Sequence, residues 1–135
     1  MTIVEKWLEF VRRDLEAAKI LFKNGDKMGF AYQASVFHCH QAVEKLLKAC
    51  IVKNGEPVVK THDLVRLEKL AGIRLGASLS RFIRDINPHY QLTRYPDMPF
   101  VSDFSFTYKK ASAGKILSKT KKLYLCLEKK LMQNL

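Results

Sequence analysis

The sequence predicts an all-α protein: an up-and-down four-helix bundle with one short additional helix. Three observations point there. Apolar residues recur at alternating steps of three and four along most of the chain, which places them on one face of a helix. No stretch alternates apolar and polar residues as a half-buried strand would. Turn signals separate the periodic segments: Asn24-Gly25-Asp26, Gly55 with Pro57, Gly72 and Pro88. The 135 residues suffice for one compact domain, 1–135, and are too few for two ordinary ones.

In the first helix, Val4, Leu8, Val11, Leu15, Ala18 and Phe22 form the apolar face, widened by Trp7 and Leu21. Thr2 is its expected N-cap and Asn24-Gly25-Asp26 its stop. The second helix is expected from about Lys27 to Asn54. Two apolar stripes (Phe30, Ala34, Phe37, Leu47, Ile51 and Ala31, His38, Ala42, Leu46, Ala49) run around it, as in a central, heavily packed helix. A third opens in Lys60-Thr61-His62-Asp63-Leu64, with Thr61 as N-cap, Asp63 in the first turn and Leu64, Leu67 and Leu70 facing the core.

A short fourth helix, Gly76 to Asn87, uses Leu79, Phe82, Ile83 and Ile86, and Pro88 is expected to end or kink it. His89 to Val101, with Pro96 and Pro99, reads as an ordered loop. The last helix is expected to start near Asp103. Its stripe is Ala113, Ile116, Leu117, Thr120, Leu123, Tyr124, Leu127 and Leu131, with Lys115, Lys119, Lys122, Lys129 and Cys126 on the opposite side.

The formal charge of +11 suggests an anionic partner. Residues 1–103 hold 16 Lys and Arg against 12 acids, whereas 104–135 hold 8 lysines against Glu128 alone, so the excess lies in the last helix. That lysine stripe either holds phosphates or is simply a solvated charged face. Three cysteines without CxxC spacing argue against a disulfide framework and for reduced thiols. The first residues lack the apolar run of a signal peptide, and no segment has the length of a membrane span. A cytoplasmic protein without a membrane partner is expected.

His38 and His40 sit two apart on a helix and point about 200° apart, so they do not grip one ion. A packed His38 and a partly exposed His40 are expected. His40 and Glu44 have helical i,i+4 spacing but no third ligand, and no metal or cofactor is expected. Glu44 and Lys48 read as an ordinary surface ion pair. Arg84 and His89 are the one pair with catalytic promise. A histidine beside an RNA 2′-hydroxyl can serve as general base, and a guanidinium can hold the scissile phosphate.

Taken together, "DLEAAKIL", "GFAYQASVFHCHQAVEKLLKACIVKNG", "KTHDLVRL" and "HYQLTRYPD" resemble the HEPN domain family over roughly Glu5 to Leu131, in its short prokaryotic branch. The resemblance implies a HEPN-like bundle that commonly forms a homodimer, often beside a minimal nucleotidyltransferase with which it makes a toxin–antitoxin pair. Active members are metal-independent endoribonucleases with a motif of Arg, a polar residue, three to five further residues and His, at a dimer cleft; Arg84, Asp85 and His89 match it, and Tyr90 is the nearest tyrosine for adenylylation. Members that bind nucleotide or RNA without cutting would use Arg94, Tyr95 and His62 as cleft residues. Lys115, Lys119 and Lys122 are the candidate phosphate contacts.

Overall fold

The computed structural model describes residues 1–97 and 108–133. Among the described residues are six helices and no strand: α1 (Ile3–Lys23), α2 (Ala31–Lys53), α3 (Leu64–Ala71), α4 (Ala77–Ile86), α5 (His89–Arg94) and α6 (Lys110–Met132). The architecture is the predicted all-α bundle. It is organised around α2, which packs against α1, α3, α5 and α6. Contact on so many sides explains why α2 is apolar around most of its circumference. Leu8, Leu46, Leu47, Leu123 and Leu127 are fully buried between α1, α2 and α6. Truncating any one of them to alanine is expected to cost ~2–5 kcal/mol.

The first turn is built as predicted at one end and differently at the other. Thr2 caps α1, its hydroxyl accepting from the Glu5 N–H at 3.1 Å. The second helix begins at Ala31 rather than Lys27, because residues 24–30 are drawn into a tight turn with the Lys27 and Met28 N–H groups donating to the Asn24 carbonyl. Gly25 makes that turn possible. A Cβ there would lie 2.1 Å from Tyr32 Cε1, on a ring whose hydroxyl donates to Asp26 Oδ1 at 2.7 Å.

At α3 the N-cap is Asp63 and not Thr61. The Asp63 carboxylate accepts from the N–H groups of Val65 and Arg66, while the Thr61 hydroxyl accepts from the Asp63 N–H. Leu70 does not face the core and is 43% exposed. The helix stops at Ala71, with Gly72 in the left-handed region at φ 61°, so its buried face is Leu64, Leu67 and Ala71.

The largest departure is α5, which occupies part of the segment expected to be a loop. Helix α4 ends at Ile86, and Pro88, at φ −69° and ψ −12°, starts a new helix rather than merely ending the old one. A proline costs nothing at a first helical turn, where its missing N–H would have no intrahelical partner. Thr93 then donates to the His89 carbonyl at 2.6 Å, and Gln33 of α2 donates to the Thr93 carbonyl at 2.8 Å. Asn87 fixes the other end, accepting from the Leu64 N–H at 2.8 Å and donating to Asp63 Oδ1. The expected helix start near Asp103 lies outside the described residues; Tyr108 and Lys109 are not helical and α6 begins at Lys110.

Candidate functional site

The site grows out of one buried carboxylate. Glu44 lies on the core side of α2, 4% exposed, and accepts from Lys48 Nζ at 2.9 Å and from His62 Nδ1 at 2.7 Å. The pair with Lys48 is therefore buried and not an ordinary surface pair, because α3 and the segment before it cover this part of α2. A carboxylate only accepts, so His62 carries its proton on Nδ1. That bond holds the half-exposed imidazole in one orientation, with its outer face turned toward α5.

Tyr90 of α5 lies flat on that imidazole. The two rings are stacked with centroids 3.9 Å apart and planes 14° apart. The Arg94 guanidinium, one helical turn on, sits 5.4 Å from the Tyr90 ring and 5.3 Å from the Phe37 ring. Tyr90 and Phe37 are themselves 6.1 Å apart. An open cleft lined by Thr61, His62, Asp63, Asn87, Tyr90 and Gln91 adjoins the stack. Two stacked rings at the cleft, with a guanidinium beside Tyr90, suit a planar, anionic ligand.

His89 points elsewhere. Its side chain is buried against α4 and α6, and its Nδ1 is 2.7 Å from the Tyr108 hydroxyl. Burial lowers its pKa, with Asp85 opposing. A second cleft runs past it, lined by Phe82, Asp85, Ile86, Ser112, Lys115 and Lys119. Arg84 is absent from that lining. It is exposed, with Nη1 3.5 Å from the Ser80 hydroxyl. Consecutive residues of a helix point about 100° apart, so Asp85, rather than Arg84, faces the cleft that His89 lines.

Two further arrangements were not legible in the spacing. Asp14 of α1 is buried, accepting from Lys45 Nζ at 2.6 Å and His38 Nδ1 at 3.0 Å. Burial pushes its pKa up, but these two donors outweigh it and hold the carboxyl below the usual value. The histidines of "HCH" are the reverse of the expectation. His38 is part-exposed on the α1 side, while His40 is fully buried, 5.5 Å from the Tyr90 ring. The reason is that α5 covers the face of α2 that carries His40. Neither ring nitrogen of His40 has a well-formed hydrogen bond among the described residues. Burial lowers its pKa to about 4, against smaller upward effects of Glu44 and the Asn87 backbone.

Of the predicted site residues, His62, Tyr90 and Arg94 come together; His89, Asp85, Lys115 and Lys119 share the other cleft. Tyr95 is exposed at the end of α5, and Lys122 is exposed outside the second cleft's lining. Phe37, Gln33 and Glu44 were not foreseen as part of a site. The Glu44–Lys48 spacing was a local signal, but the His62 partner comes from a different element. Among the described residues, no three His, Cys, Asp or Glu side chains are placed to hold a metal ion, and no helix is long and apolar enough to cross a membrane.

A family model for the HEPN domain matches residues 4–130. Among solved structures, the chain is similar to TT1696 from Thermus thermophilus, at 25% identity and a TM-score of 0.74, covering 96% of this chain and 99% of that one. It is also similar in fold to ST0689, an archaeal HEPN homologue, at 20% identity and a TM-score of 0.73, covering 97% and 99%. No curated protein sequence matches.

Proposed function

The chain belongs to the HEPN domain family, and on that footing we propose that it is the nucleotide- or RNA-binding partner of a minimal nucleotidyltransferase in a toxin–antitoxin-type pair, acting as a homodimer. The observation that carries the binding half of this reading is the Tyr90–His62 stack with Arg94 beside it. The stack presents a rigid π surface whose orientation is fixed from below by a buried carboxylate. Stacking on such a surface tolerates any base, and a guanidinium answers the phosphate. The partner half follows from the family resemblance.

Co-expression with a minimal nucleotidyltransferase from the same genome, followed by calorimetric titration with ATP and a short RNA, tests both halves. A co-eluting complex and measurable binding are expected. Separate elution removes the partner, and no binding of either ligand removes the site.

The second reading is a metal-independent endoribonuclease using Arg84 and His89 at a dimer cleft. Lys115 and Lys119 beside a buried imidazole favour it, since cations and a histidine suit a phosphodiester. The exposed position of Arg84 weighs against it. This reading requires EDTA-resistant RNA cleavage that disappears in His89→Ala.

A further inference from the structure

The groove on the far side of Arg94 is not used by the stack. It is lined by Phe30, Gln33, Ala34, Phe37, Thr93 and Arg94, from α5, the first turns of α2 and the residue that caps α2. Phe30 is 60% exposed, and a phenylalanine that exposed gains little from its own burial. The groove is continuous with the first cleft through the ring cluster, because Phe37 neighbours Tyr90 and the Arg94 guanidinium lies within 5.3–5.4 Å of both rings. The cleft that holds His62 and Tyr90 and the groove that holds Phe30 and Phe37 thus meet at a cluster of Tyr90, Phe37 and the Arg94 guanidinium. A single-stranded nucleic acid has a base for each of the two pockets and a phosphate for the guanidinium where they meet.

Resting on the nucleotide-binding reading above, we infer that the ligand is a single-stranded oligonucleotide occupying two ring subsites and not a mononucleotide. One base stacks at Tyr90 and His62, and the next enters the Phe30–Phe37 groove. The intervening phosphate lies at Arg94, where two of its oxygens accept from a planar fork of N–H donors. Gln33 is held by its bond to the Thr93 carbonyl, so it anchors the groove wall. Its amide oxygen is then left to accept from a base edge.

The test compares adenosine monophosphate with the dinucleotide ApA, titrated into the full chain at one fixed low salt concentration. The wild type is expected to bind ApA at least about fivefold tighter, the lower end of one added base–ring contact. Phe30→Ala, a change at an exposed side chain, is expected to abolish that gain while leaving the monophosphate affinity within about twofold. Phe30→Trp is expected to keep it. Equal affinities for the two ligands, or a gain that survives Phe30→Ala, overturn the second subsite and leave the nucleotide reading standing. No binding of either ligand overturns both.

Discussion

Helix α2 touches two buried carboxylates that keep the same company and do different work. Asp14 and Glu44 each accept from one lysine and one histidine: Lys45 and His38 in the first case, Lys48 and His62 in the second. Around Asp14 all three groups belong to the α1–α2 pair, and the arrangement fastens one long helix to the other. Around Glu44 the histidine comes from the segment leading into α3, and its ring carries Tyr90 of α5. The first is a clasp within the bundle's frame. The second transmits the rigidity of the core to a surface that can hold a ligand. A buried charge network is therefore not itself the sign of a site; what rests on its outer end decides.

The largest expected effect breaks the two networks in turn. Glu44→Ala leaves the Lys48 ammonium buried without its carboxylate and is expected to cost ~3–5 kcal/mol in denaturant unfolding. Asp14→Ala leaves Lys45 and His38, both of which reach water, and is expected to cost less, about 2 kcal/mol. Equal losses would mean that Lys48 escapes to solvent as easily as Lys45. Glu44→Ala should also weaken nucleotide binding by freeing His62, whereas Asp14→Ala should not.

The next effect separates the two regions by pH. The folded pKa of His40 is about 4 against an ordinary 6.5, so the unfolded chain binds its proton first and stability falls as pH drops from 6.5 to about 4. The full shift corresponds to ~3 kcal/mol. His89, also lowered by burial, adds in the same direction. The Asp14 carboxyl, held below its ordinary 3.8, has the same sign in a lower window: its contribution is present above about pH 4 and is lost as pH falls through the folded value. Urea melts across pH 7 to 3 should show both limbs. His40→Leu, which removes a buried ring whose nitrogens make no well-formed hydrogen bond among the described residues, is expected to make only the upper limb shallower, leaving the His89 share, and to be neutral or stabilising at pH 7. A variant whose upper limb is unchanged would assign it elsewhere.

The smallest effect is at Arg84. Its exposed guanidinium makes one long contact, so Arg84→Ala is expected to change stability by less than about 0.5 kcal/mol and to leave nucleotide affinity unaltered. RNA cleavage lost in that variant would instead favour the ribonuclease reading.

Helical periodicity made the bundle legible, and it located the core faces of α1 and α6 residue by residue. It misled where a helix was short. A six-residue helix such as α5 is too brief to show a period, and Pro88 reads as a stop although it fits a first turn equally well. The interior face of α2 was hard to orient because apolar residues surround it, which is how His38 and His40 came to be exchanged. His62, Tyr90 and Arg94 stood out as residue types, but their meeting depends on α5 folding back over α2. The link from Glu44 to His62 crosses 18 positions, a contact that no local spacing encodes.

The central claim is that ligand binds on the Tyr90–His62 surface. The direct measurement is proton NMR of the assigned ring resonances of His62 and Tyr90 during titration with adenosine monophosphate. The account predicts upfield ring-current shifts at both rings, saturating with the calorimetric affinity, and binding weakened about 5- to 150-fold in a Tyr90→Ala variant that remains helical and monophasic in its melt. Unmoved ring resonances during saturable binding would contradict it, as would equal affinity in the Tyr90→Ala variant.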